Sequence, residues 1–227
     1  MSEINSPAPD RPLSRERILA EAMVLADRGG LEALSMRKLA EALGVKAMSL
    51  YNHIANKDDL IDSLIDRVVS EIELPRLDSD WQTAMRRRAI SAYAVLLRHP
   101  WAALVLMSRL NVGPAMLRYV DATLGCLVEA GFSSEMADHG WNAIDSHIYG
   151  FTLQALNFPL NPADYPVVAK SFVDHIPADQ YPYLNQLTYQ VIEGRYDGLH
   201  SFEFGLDLIL DGLENLRVQN CDDGHCA

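Results

Sequence analysis

Apolar residues recur every three to four positions along almost the whole chain, and sustained two-residue alternation is absent, so the pattern predicts an all-α fold. Ile18, Leu19, Ala22, Leu25 and Ala26 mark one face of a first helix from about Ser14 to Arg28, ended by Gly29-Gly30. Ser35 is a good N-cap for a second helix running to Leu43 and stopping at Gly44. A short helix follows, roughly Ala47 to His53. Asn56 then caps a fourth, with Asp59 placed to reach back as in a capping box and Leu60, Ile61, Leu64, Ile65 and Val68 on its core face.

Pro75 to Asp80 reads as a linker or as the end of that fourth helix. Further helices are expected over Trp81–Arg98, Pro100–Leu110, Pro114–Ala130 (closed by Gly131 with Phe132) and from Ser133 or Ser134 to about Leu156. Pro159, Pro162, Pro166, Pro177 and Pro182 must break the next stretch into short helices and loops. Helices around Tyr183–Glu193 and Ser201–Arg217 come last, and 220–227 reads as disordered. The expected organisation is an N-terminal three-helix helix-turn-helix DNA-binding domain over 13–73 and a larger helical ligand-binding and dimerisation domain over 79–218.

Composition narrows the class. Of 227 residues 49 % are hydrophobic, enough for a real core and too many for a disordered chain. No apolar run reaches the roughly 18 residues of a membrane span, so no membrane partner is expected. The polar, proline-containing start does not read as a signal peptide, and Cys126, Cys221 and Cys226 form no disulfide framework, which together fit a cytoplasmic protein. The net charge of -12 disfavours nucleic acid until its distribution is seen. Residues 11–57 carry +3 and residues 1–10 carry -2, leaving -13 for everything after 57. A mildly basic head on an acidic body fits DNA contact at one end.

Two short helices joined by a glycine turn can present the second to a major groove. Across Gly44, Leu39, Ala40, Leu43, Val45 and Leu50 supply the small core of such a pair, and Lys46, Ala47, Met48, Ser49, Tyr51, Asn52 and His53 face outward. Hydroxyls, an amide, an imidazole and methyl groups can read base edges and phosphates. A plain helical corner with merely solvated polar residues has the same pattern.

The run Ser35-Met36-Arg37-Lys38-Leu39-Ala40-Glu41-Ala42-Leu43-Gly44-Val45, then Ser49-Leu50-Tyr51-Asn52-His53-Ile54 and Asn56-Lys57-Asp58-Asp59-Leu60, resembles the DNA-binding domain of the TetR family over residues 14–72. The resemblance implies DNA contacts by Ser35 and Arg37 at the start of the second helix and by Lys46, Ala47, Met48 and Ser49 at the start of the recognition helix. It also implies backbone contacts by Tyr51 and His53 and a phosphate contact by Lys57. Lys57 has its own rationale, since a helix N-terminus and an ammonium both attract phosphate. Ala47 and Met48 are apolar and suit thymine methyl groups. Double-stranded operator DNA is the implied partner.

From Trp81 onward, Ala130-Gly131-Phe132-Ser133, Gly150-Phe151-Thr152-Leu153 and Phe202-Glu203-Phe204-Gly205-Leu206-Asp207-Leu208-Ile209-Leu210-Asp211-Gly212-Leu213-Glu214 resemble the regulatory domain of the tetracycline repressor subgroup. That implies a homodimer joined by a four-helix bundle of Ser134–Leu156 and Ser201–Arg217 from each subunit. Independently, Gly205 and Gly212 lie seven residues apart on one face, and each costs a helix about 1 kcal/mol relative to alanine, which close helix approach would explain. A buried helix of the monomer core would explain it too.

On the long helix, Asn142, Asp145, Tyr149 and Thr152 form a polar stripe beside the apolar one. Solvated surface is the plain reading. The subgroup resemblance implies instead an effector cavity lined by Asn142, Asp145 and Tyr149 with Arg88, Leu106, Arg109, Val120 and Thr123. Arg88 and Arg109, if inward, would need a carboxylate such as Asp145 or an acid on the ligand. The positions that coordinate drug-bound magnesium in that subgroup align with Leu106 and Phe158, which offer a hard cation no ligand, so no metal and no cofactor are expected. Tyr93, Trp101, Met107, Trp141, Tyr149 and Phe158 suit an aromatic or polyketide-like small organic effector.

No enzymatic motif is visible, and the chain is not expected to be an enzyme. Cys221, His225 and Cys226 could hold a soft metal or be a mobile tail. The function expected is a ligand-responsive repressor released from DNA by its effector. The alternatives are a helical protein that simply binds a hydrophobic small molecule, or an activator without effector-driven release.

Overall fold

The computed structural model describes residues 12–76 and 78–222, and among them the regular secondary structure is helical. The head begins with α1 (Arg15–Ala33), capped by the Ser14 hydroxyl, which accepts from the Arg17 N–H. Gly29 and Gly30 do interrupt it, Gly30 at φ 68°, but a further turn follows to Ala33 before the chain turns at Leu34. Ser35 caps α2 (Met36–Leu43) by accepting from the Lys38 N–H at 3.2 Å. Gly44 then takes the left-handed conformation (φ 68°), and the Val45 N–H closes the helix end onto Ala40 O at 3.0 Å.

The recognition helix α3 spans only Ala47–Leu50, and residues 51–53 are a turn rather than its continuation. So short a helix cannot hold itself in water. Leu50 and Ile54, both fully buried, plug it into a core with Ile18, Ala22, Leu39, Leu60 and Leu64. Asn56 caps α4 (Lys57–Ser70) through Asp59 N–H at 2.8 Å. The Asp59 carboxylate reaches back one residue further than a capping box, to the Ala55 N–H at 2.9 Å, and pairs with Arg15.

After the 71–80 linker the body comprises α5 (Trp81–Arg98), α6 (Ala102–Ser108), α7 (Pro114–Glu129) and α8 (Ser134–Asn157). They are followed by α9 (Tyr165–Phe172), α10 (Pro182–Ile192) and α11 (Phe202–Asp222). Helices α5, α7, α8 and α11 pack around one another, α4 lies against α7, and α9 packs mainly on α10. Helix α6 is shorter than the apolar pattern predicts, because Pro100 and Trp101 form a turn. Helix α11 runs on to Asp222, past the expected start of disorder at 220, while 223–227 lie outside the described residues. The proposed soft-metal group of Cys221, His225 and Cys226 therefore falls largely outside them. Among the described residues no single helix is long and apolar enough to cross a membrane.

The two glycines of α11 do not share a role. A Cβ on Gly205 would lie 2.5 Å from the His147 ring of α8, so this glycine serves a close approach inside the subunit, whereas Gly212 faces open space. Phe204 (67 % exposed), Leu208, Gly212 and Leu216 make an exposed stripe along the helix.

Candidate DNA face and buried effector site

The residues expected on DNA all fall between the end of α1 and the first turn of α4. Arg37, Lys46, Met48, Tyr51 and Lys57 are exposed, Met48 to 74 %, while Ser35, Ala47, Ser49 and His53 are half-buried. Met48 thus stands out from a segment that Leu50 and Ile54 anchor in the core. Arg15 fixes the trailing end of the segment. Its guanidinium donates to the His53 carbonyl at 2.7 Å, to the Asp59 carboxylate and to the Ser63 hydroxyl. Lys57 is the first residue of α4, and the same first turn carries Asp58 and Asp59.

Inside the body, α5, α7 and α8 bring Arg88, Tyr119, Trp141, Asp145 and Tyr149 together. Arg88 is fully buried, and its Nη2 donates to the Asp145 carboxylate and to the Tyr119 hydroxyl. Asp145 Oδ2 accepts from Trp141 Nε1 at 2.7 Å and from the Tyr149 hydroxyl at 3.2 Å. The Tyr119 hydroxyl also lies 3.4 Å from Asp145 Oδ1. Burial, the largest influence on Arg88, works against its charge, but Tyr119 and Asp145 outweigh it and hold its pKa above the ordinary value. Burial pushes the Tyr119 and Tyr149 phenols well up, with the Asp145 carboxylate adding to the rise.

Arg88, Asp145 and Tyr149 are thus neighbours in one buried network, and the inward arginine is paired with Asp145. Tyr119 was missed, although its spacing with Ala115 and Thr123 marks the buried face of α7. Thr123 is buried, but its hydroxyl is engaged by Tyr119 O at 2.7 Å. Leu106 and Val120 are partly buried and pack on the core. Two assignments need correction. Asn142 is exposed on α8, because three residues before Asp145 the helix has turned past the edge of its buried arc. Arg109 does not point inward. It leaves the end of α6 to meet Asp58 at 3.0 Å and Asp62 at 3.2 Å on α4.

The Arg109 pairs are part of a joint between head and body. Asp58, Asp62 and Asp66 lie at four-residue spacing on α4. Arg109 takes the first two, Asn111 Nδ2 donates to Asp62 O at 3.0 Å, and Asp66 accepts from Ala115 and Met116 N–H at the start of α7. A polar cleft of about 800 Å³ opens beside this joint. On the other side, His99 Nδ1 and Trp101 Nε1 both lie 2.8 Å from Asp27 of α1. A smaller cavity of about 220 Å³, lined by Tyr93, Phe151, Phe158 and Tyr165, lies on a different face of α8 from Asp145. Among the described residues no group of three or more His, Cys, Asp or Glu side chains is placed to hold a metal.

Residues 18–64 match the family model for bacterial regulatory proteins of the tetR family, and residues 74–217 match that for the tetracyclin repressor-like C-terminal domain. The chain is 30 % identical to the HTH-type transcriptional repressor DrrR1 of Streptomyces coeruleorubidus, over 94 % of this chain and 82 % of that one. It is 31 % identical to the class C tetracycline repressor protein of Escherichia coli, over 92 % and 94 %. The structure of ActR from Streptomyces coelicolor in complex with actinorhodin superposes with a TM-score of 0.76 at 29 % identity, over 91 % of this chain and 99 % of that one. These relatives are transcriptional regulators rather than enzymes. With a helix-turn-helix head, a helical regulatory body and both family models matched, the chain belongs to the TetR family of transcriptional regulators.

Proposed function

We propose that the protein is a ligand-responsive repressor that binds double-stranded operator DNA in the cytoplasm as a homodimer and lets go when a small organic effector enters the body around Arg88, Tyr119, Asp145 and Tyr149. The observation that carries this reading is the double duty of α7. Its first turn is tied to α4 through Ala115 N–H and Asp66, and one turn later Tyr119 joins the buried network. A molecule that displaces Tyr119 therefore pulls on the helix that follows the recognition segment. That is the two-site coupling through a shared rigid element that allostery requires. The exposed stripe of Phe204, Leu208, Gly212 and Leu216 on α11 supports a two-fold seam, and two heads related by such an axis suit two half-sites. The ligand complex of ActR supports a small-molecule effector for this body as well.

A gel shift with the intergenic DNA upstream of the protein's own gene, repeated with candidate effectors, tests this. The expected result is a shifted band that weakens as effector is added. Unchanged DNA affinity at saturating, demonstrably bound ligand would sink the effector-release reading, and absence of any shift would sink the repressor.

A further inference from the structure

His99 ends α5 with its ring enclosed between body and head, and only 7 % of the residue is exposed. Its Nδ1 lies 2.8 Å from Asp27 Oδ1 of α1. A bare ring nitrogen that close to a carboxylate oxygen would be repelled, so Nδ1 carries a hydrogen. In a neutral ring that is the only N–H, and Nε2 is then a lone pair. Nε2 is buried without a hydrogen-bond partner, and what it faces is a second carboxylate, Glu71 Oε1 at 3.4 Å. Two acids of the head therefore flank one imidazole of the body, and only the imidazolium has an N–H for each.

We infer that His99 is a pH-operated clamp between head and body: the charged ring draws Asp27 and Glu71 together, and loss of the Nε2 proton to solvent frees the Glu71 side. The charged groups at the ring come from three elements. Asp27 belongs to α1, Glu71 caps the end of α4, and Arg98 of α5 pairs with Glu71 at 2.7 Å. Trp101 Nε1 adds an uncharged donor to Asp27. With a neutral ring this group carries one net negative charge, and with an imidazolium it is balanced. Imidazole is the side chain whose charge ordinarily changes near neutral pH. Burial acts to raise the Glu71 carboxyl, but Arg98 and His99 outweigh it and hold it below its ordinary value, so it stays charged over that range. The attraction exists only while the ring holds both protons. Its stabilisation is therefore present on the acid side and is lost as pH rises through the titration of the ring. The clamp needs neither effector nor operator, so it stands or falls apart from the proposed function.

The test compares melting temperatures of the full-length wild type and of Glu71→Gln across the range from about pH 5.5 to about pH 8. The substitution sits on a half-buried position, removes the charge opposite Nε2 and leaves the Asp27 contact in place. The other histidines are common to both proteins, and the Glu71–Arg98 pair contributes alike at every pH in the range, so neither alters the trend. The margin of wild type over Glu71→Gln is expected to shrink by about 2 °C from the acid to the alkaline end, as for the loss of one partly exposed ion pair. In a His99→Gln background the effect of Glu71→Gln should not vary with pH. Should His99→Gln fail to fold by circular dichroism, His99→Asn takes its place, with its amide N–H standing in for Nδ1–H toward Asp27. A wild-type margin that is level across the range or grows as pH rises would overturn the inference. So would a pH trend that survives the loss of His99.

Discussion

Asp66 of α4 caps α7: its Oδ1 accepts the Ala115 N–H at 2.8 Å, so a head-side carboxylate completes the first turn of a body helix. Asp66→Ala removes the cap and the link together. The expected cost is about 1 kcal/mol, a fall of about 2–4 °C in melting temperature for a chain of this size. Operator affinity without effector should stay near wild type while the concentration of effector needed for release rises. Thermal denaturation and gel shifts on the same preparation check both halves.

Arg37→Ala with Tyr51→Ala is expected to abolish specific operator binding and leave the helical circular dichroism spectrum and dimerisation unchanged, since both side chains are exposed. The slope of log affinity against log salt should fall by about one, through the lost Arg37 charge alone, because the uncharged Tyr51 hydroxyl releases no counterion. Fluorescence anisotropy across a salt series measures it.

Removing one member of the buried ion pair should hurt more than removing both. Arg88→Met strands the enclosed Asp145 carboxylate and is expected to cost about 3–5 kcal/mol, whereas Arg88→Met/Asp145→Asn should recover much of that loss. Urea denaturation of wild type, both single variants and the double variant gives the coupling directly.

Asp59 makes acid stability sensitive to the head. The Arg15 guanidinium, then the Ala55 N–H, hold its carboxyl below the ordinary 3.8. The stabilisation is therefore present above that value and is lost as pH falls through the lowered folded value, where the native carboxylate is finally protonated. Asp59→Asn should flatten the dependence of melting temperature on pH below about 4, and a change confined to neutral pH would contradict the assignment. The pair is partly exposed and its effect will be modest.

Gly205→Ala and Gly212→Ala are expected to diverge. At 205 the new methyl meets the His147 ring, whose Nε2 lies 2.8 Å from Phe202 O, so the junction of α8 and α11 must shift at a cost of about 1–3 kcal/mol. At 212 the methyl meets nothing in the subunit, so the monomer gains helix propensity, and any loss appears only in sedimentation as weaker dimerisation.

These glycines also illustrate what the chain made legible. Local signals were reliable wherever the physics is local: Ser35 and Asn56 cap the helices their side chains can reach, and Gly44 takes the left-handed turn that lets α2 stop. Spacing alone put Gly205 and Gly212 on one face, but which neighbour each meets depends on how α8 crosses α11. Arg88 finding Asp145 was legible because a buried guanidinium has few admissible partners. Arg109 looked equivalent from its charge, and only the turn after Ser108 directs it to α4. On the polar stripe of α8 Asp145 and Thr152 are buried and Tyr149 half-buried but Asn142 is exposed, since the roughly 60° between Asn142 and Asp145 on a helix carries one residue across the boundary of burial. Tyr119 was hidden by its own amphipathic nature, a ring that fits any apolar face and a hydroxyl whose partner comes from another helix.

The brevity of α3 has a consequence for how this protein could change its target. Leu50 and Ile54 sink into the core and Arg15 grips the His53 carbonyl, so the duties of holding the segment fall on residues that point inward or lie outside it. Lys46, Met48, Tyr51 and Asn52 look outward, where substitutions usually shift stability by no more than about 0.5 kcal/mol. The address can be rewritten without rebuilding the reader. Substitutions at these outward positions can change what the head contacts, while the buried Arg88–Asp145 network and the exposed stripe of α11 stay as they are.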